Sequence, residues 1–149
     1  NLDTLENLVK KNGHTGRTDL CLKIDVEGYE WLPLLFAPEE ILCQFTQIVI
    51  ELHWLDTDFC ATIEQKAKVL KRLNKFFYLV HVHGVNCQEP KIVNGMKVCP
   101  VIEATFVRKN LFKTEPKIIK NPKLPIELDR PIDLCLREVS LSDYYPWNN

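Results

Sequence analysis

The stretch Leu20-Cys21-Leu22-Lys23-Ile24-Asp25-Val26-Glu27-Gly28-Tyr29-Glu30-Trp31 decides how the rest of the chain is read. Residues 20–26 are a nearly continuous apolar run, as expected of a strand in a buried, parallel position. The run closes on two carboxylates, Asp25 and Glu27, whose spacing of two puts them on one face of an extended strand. Gly28 lets the backbone turn tightly, and a helix is predicted over 29–36. In open α/β sheets, ligands and chemistry collect at the carboxyl ends of strands, so two acids placed there are candidates for binding or proton transfer.

Working outward, the pattern alternates. A short helix over Leu5–Lys11 follows Asp3 or Thr4 as cap and stops at Asn12-Gly13. Pro38, Glu39 and Glu40 open a further turn running to about residue 43. Residues 47–53, Gln-Ile-Val-Ile-Glu-Leu-His, form a second strand that again ends in polar groups. The longest helix is predicted over 58–74, with Ala61, Ile63, Ala67, Val69, Leu70 and Leu73 at helical spacing and Lys66, Lys68, Lys71 and Arg72 facing outward. Residues 76–83 make a third strand rich in aromatic and branched side chains. A polar stretch over 84–97 carries the turn signal Asn94-Gly95, and residues 100–108 make a fourth strand.

The order strand, helix, strand, helix, strand, strand defines an α/β class, with parallel crossovers and a final antiparallel hairpin. Residues 1–110 form the α/β domain. From residue 111 to 149 the prolines at 116, 122, 125, 131 and 146 break any long element, which predicts an extended tail that can lie over the domain. At 149 residues the chain is about one domain long. Its net charge of -1 gives no ground for a nucleic-acid or anionic-membrane partner. The basic residues Arg108, Lys109, Lys113, Lys117, Lys120 and Lys123 read as a solvated surface, and no apolar run is long enough to span a bilayer. Of the six cysteines, Cys21 and Cys43 sit among apolar neighbours as buried free thiols do, and Cys87 and Cys99 could meet across a hairpin. Reduced cysteines are the expectation.

Leu2-Asp3-Thr4-Leu5, followed after a gap by Leu22-Lys23-Ile24-Asp25-Val26-Glu27-Gly28-Tyr29-Glu30, resembles the FkbM-type family of S-adenosylmethionine-dependent methyltransferases. Ile48-Val49-Ile50-Glu51-Leu52-His53 is similar to that family's next strand, and residues 78–86 and 100–109 resemble a metazoan branch of methyltransferase-like proteins. The resemblance covers residues 2–110. It implies a Rossmann-like seven-stranded sheet with its last strand antiparallel, onto whose C-terminal half these four strands map. It implies S-adenosylmethionine as cofactor and O-methyl transfer to a small-molecule or glycan-like acceptor. Asp25 then acts as base or cofactor-side contact, with Glu27, Glu51 and His83 lining the site. The five glycines include no G-x-G, so the loop that cradles such a cofactor is absent from these residues, which alone are expected to be inactive. A chain starting at Asn1 reads as a fragment, with its cofactor-binding half ahead of it.

Each site residue also has a structural reading. Asp25 can cap a helix, and Glu27 can complement a helix dipole. Glu30 is expected to make structural hydrogen bonds. Glu51 and His53 share a strand face, as an acid/base pair or a solvated strand end. His81 and His83 with Cys87 fall short of the roughly four ligands zinc needs, so no metal is assigned. His83 with Asn86 is placed at the acceptor pocket instead. Trp31 and Trp54 are read as core. A two-carboxylate glycosidase is excluded because its usual barrel is too large for this chain. The competing function is a non-catalytic interaction domain built on the methyltransferase fold, with the free sheet edge paired to something else.

Overall fold

The computed structural model describes residues 3–120 and 122–143; Leu2 of the first motif and Pro146 of the tail lie outside them. Helix α1 (Leu5–Lys11) starts where Thr4 accepts the backbone N–H of Asn7 at 3.1 Å, and Gly13, at φ +70°, follows its end. Strand β1 (Leu20–Ile24) leads through a turn into α2 (Trp31–Phe36) and α3 (Glu39–Leu42). Strand β2 (Phe45–Leu52), helix α4 (Ile63–Phe76) and strand β3 (Phe77–Gly84) follow. The small hairpin β4 (Lys91–Val93) and β5 (Met96–Val98) turns at Asn94-Gly95, both at positive φ, and β6 (Ile102–Arg108) closes the sheet.

The main sheet has the order β1-β2-β6-β3. β1 pairs parallel with β2, while β6 is antiparallel to both β2 and β3, so β1, β2 and β3 all point the same way. The domain is therefore α/β with a mixed, four-stranded sheet. The third and fourth strands pair antiparallel as expected, with the last strand seated between the second and third.

One face of the sheet carries the core. Ile48, Ile50 and Leu52 of β2, Ala104 and Phe106 of β6, Trp31 and Leu34 of α2, and Val69 and Leu73 of α4 form a single buried cluster. Each fully buried side chain of this size contributes about 1.5–3 kcal/mol. By strand alternation the opposite face carries Lys23, Glu51, Glu103, Thr105, His81 and His83.

Several sequence expectations are corrected. β1 is shorter than 20–26 and is an edge strand whose residues alternate between half-buried and exposed. Among the described residues it has a sheet neighbour on one side only, and its Leu20, Leu22 and Ile24 pack against the core. Cys21, on the outer face, is consequently exposed and not a buried thiol. All six cysteines are free, with Cys99 buried and Cys87 exposed, and burial raises the Cys99 thiol to about 11.

α4 starts at Ile63 and not near residue 58, because Thr62 and Gln65 form a reciprocal capping box and the Asp58 carboxylate accepts the Ile63 N–H from outside the helix. Replacing Thr62 by alanine removes half of that box and should cost about 1 kcal/mol in a urea unfolding curve. Lys66, expected outside, is buried. Its ammonium donates to the carbonyls of Trp54, Thr57 and Phe59 and so ties down the loop after β2, although burial pulls its pKa down. Arg72 is also turned inward in part, onto the carbonyls of Leu35 and Ala37.

Apart from 3-10 turns at Lys109–Leu111 and Leu141–Asp143, the described part of the segment after Asn110 is irregular. It is pinned to the end of β3. The buried Asn86 amide donates to the carbonyls of Asp133 and Leu136 and accepts the N–H groups of Ile132 and Asp133, so both ends of the side chain are satisfied. Val139 bridges Gly84 and joins Cys99 and Leu141 in a small second core. No helix among the described residues is long and apolar enough to cross a membrane.

Candidate functional site

The carboxyl ends of β1 and β2 lie side by side, because Ile24 is in register with Ile50 in the parallel pair. Asp25 therefore emerges next to Glu51, and His53 follows two residues on. Beyond Ile24 the chain leaves the sheet: Glu27 is left-handed at φ +56° and Gly28 lies at φ +103°. The extended geometry expected through Glu27 thus ends at Ile24. Glu27 reaches the site from a turn, and its side chain is 83% exposed.

Two residues hold this turn against the end of β2. The buried Glu30 carboxylate accepts the Gly28 N–H at 2.9 Å and the His53 N–H at 2.7 Å. The Trp31 indole N–H donates to the His53 carbonyl at 3.0 Å. Glu30 makes the structural hydrogen bonds expected of it, though from the turn before α2 and not from one turn into the helix. Gly28 is required twice over. Its φ is unfavourable for other residues, and a Cβ there would sit 2.7 Å from Cδ1 of Trp54, itself left-handed at φ +57°. Gly28→Ala should lower stability by about 2 kcal/mol, read from the shift in denaturation midpoint at constant slope.

Around the His53 ring the acids converge. Nε2 lies 3.3 Å from a Glu27 carboxylate oxygen and 3.5 Å from one of Glu51, and Nδ1 lies 3.4 Å from Glu30. The ring itself is only 5% exposed. Burial first, and then the carboxylates of Asp25, Glu103 and Glu27, push the Glu51 carboxyl above its ordinary value, with His53 opposing. Asp25 is partly exposed, contacts Lys23 at 3.5 Å, and does not cap α2, whose start has no side-chain cap.

Of the sequence candidates, Asp25, Glu27 and Glu51 are brought together. His83 stands two strands away on the same row, opposite Glu103, which in turn lies opposite Glu51. Both His83 ring nitrogens are taken, by Glu103 and by Glu138 of the tail, each at 3.0 Å. His83 and Asn86 therefore fasten the tail and do not present free polar groups to an acceptor pocket. His81 is likewise joined to Asp129 at 2.8 Å. The residue whose weight was not legible is His53: its place two beyond Glu51 was visible, but its enclosure by Glu30 from another element was not. A separate apolar cleft of about 600 Å³ between α4, the sheet and β5, lined by Leu70, Leu79, Val82, Met96 and Phe106, is not bordered by any of these acids.

No known protein family, curated protein or solved structure matches this chain. Fold and site define a mixed-sheet α/β domain with an acid–histidine cluster at the carboxyl ends of two adjacent parallel strands.

Proposed function

We propose that this domain is the acceptor side of an FkbM-like, S-adenosylmethionine-dependent O-methyltransferase. One observation carries the reading: Asp25, Glu27, Glu51 and His53 meet where the IDVEG and IELH segments end, at the carboxyl ends of neighbouring parallel strands. Three parallel strands with a last antiparallel strand also agree with the C-terminal half of a seven-stranded methyltransferase sheet. The cofactor would supply the methyl group as a sulfonium. The glycine-rich loop that would hold it is not among these residues. What the chain itself offers is the other half of the chemistry. Asp25, open to solvent and aimed across the strand ends, takes the proton of an acceptor hydroxyl, and the remaining carboxylates orient that acceptor by hydrogen bonds.

The interaction-domain reading is favoured by two observations, the missing loop and the open outer edge of β1. Calorimetric titration of the product of the whole reading frame with S-adenosylmethionine separates the two. Binding in the micromolar range is expected; no binding at millimolar cofactor overturns the methyltransferase reading.

A further inference from the structure

We propose that Asp25, Glu27 and His53 form a divalent-cation site, best suited to Mn²⁺, at the carboxyl ends of β1 and β2. One ligand atom from each lies within 4.8 Å of the others. Carboxylates gathered at a sheet end would by themselves indicate nothing. His53 is what distinguishes the cluster. Its ring is buried, yet Nδ1 has no hydrogen-bond partner among the described residues. Nε2 faces two carboxylates at 3.3 and 3.5 Å, beyond ordinary N–H···O bonding distance.

The surroundings have the form of a metal-binding histidine. Such a residue usually turns its second ring nitrogen to a carboxylate, which sets the tautomer and aims the other lone pair at the ion. Here Glu30, immobilised by two backbone N–H groups, lies 3.4 Å from Nδ1, too far for a hydrogen bond in the metal-free protein but placed to become that partner, and Nε2 faces Glu27 and Glu51. Charge points the same way. Four carboxylates converge on one imidazole, and Lys23, the cation 3.5 Å from Asp25, is largely exposed and can swing aside. A cation between Nε2 and the acids removes their mutual repulsion.

Ligands about 2.0–2.2 Å from an ion lie at most about 4.4 Å from one another, and the three atoms here already fall within 4.8 Å, with Glu27 only 3.3 Å from Nε2, so little movement is needed when the ion enters. The buried His53 is the fixed point, and the exposed side chains of Asp25 and Glu27 are free to rotate inward. One imidazole with two carboxylates mixes donors typical of zinc and iron with those typical of magnesium and manganese, and Mn²⁺ accepts both. Three protein ligands leave the solvent side open to water or to an acceptor oxygen. A role for the ion in holding that oxygen rests on the methyltransferase reading; the site itself does not.

The test is a Mn²⁺ titration of the full protein without S-adenosylmethionine, followed by electron paramagnetic resonance. One Mn²⁺ per chain is expected, with the spin echo modulated by an imidazole nitrogen. Glu27→Gln and Asp25→Asn, both at exposed positions, should weaken binding roughly tenfold or more without changing the metal-free melting temperature. His53→Gln should abolish the nitrogen modulation; should that variant not fold, the two carboxylate variants decide. No binding at millimolar Mn²⁺, unchanged affinity in both carboxylate variants, or bound Mn²⁺ without nitrogen coupling overturns the site. Mn²⁺ binding in a protein that ignores S-adenosylmethionine upholds the site and removes its methyltransferase role, whereas cofactor binding without Mn²⁺ removes the site alone.

Discussion

Replacing Glu30 by alanine should destabilise the protein by about 4 kcal/mol, about a quarter or more of the stability of an ordinary domain. Glu30 is 1% exposed and its carboxylate accepts two backbone N–H groups, Gly28 in the turn after β1 and His53 at the end of β2. Bonds to a charged acceptor contribute about 1.5–3 kcal/mol each, and truncation leaves both donors buried and unpaired. The loss is also topological. The Glu30 bond to the His53 N–H and the Trp31 indole on the His53 carbonyl join segments more than twenty residues apart. Glu30→Gln keeps the shape and one acceptor oxygen but turns an amide N–H₂ toward a backbone donor, so it should cost about half as much. Urea unfolding followed by tryptophan fluorescence reads both variants. A loss below about 1 kcal/mol for the alanine variant would show that the two bonds are dispensable.

The same residue marks the limit of what the sequence could tell. Glycine and proline signals, caps and periodicity placed α1, the turn at Gly28, α4 and the strands, because those are local effects whose partners lie within a few residues. The boundaries of β1 and α4 were missed through local turn and cap geometry; the remaining failures involve partners on other segments. Lys66 has helix-surface spacing, but the loop from Trp54 to Phe59 folds back and presents three carbonyls to it. Cys21 sits in an apolar string, but its strand lies at an edge with one face uncovered. Asp25 and Glu51 were legible as acids at strand ends; that they meet depends on the parallel register of β1 with β2, which no local pattern encodes. His83 looked like a pocket residue because nothing near it in sequence announces Glu138, fifty-five residues on.

His83 carries the second large expectation. Its ring is 2% exposed and clasped on both sides, by Glu103 of β6 at Nδ1 and by Glu138 of the tail at Nε2. Burial works to lower the pKa of the imidazolium, but the two carboxylate bonds, with Asp129 and the general charge of Glu138 behind them, outweigh it, and the net direction is upward from 6.5. A group held protonated by folding stabilises fully below the unfolded value and loses that contribution as pH rises through the folded one. In that interval the folded state binds more protons than the unfolded state, so stability falls with rising pH. Unfolding free energy should therefore fall as the pH is raised above about 6.5, and the tail should become more susceptible to proteolysis at alkaline pH. His83→Ala should cost about 3 kcal/mol at pH 6, the lower end of the range for breaking a buried pair because Glu103 and Glu138 are partly exposed. It should also flatten the fall of stability with rising pH. A variant that is weakened yet keeps the full pH dependence would show that His83 is not the titrating group.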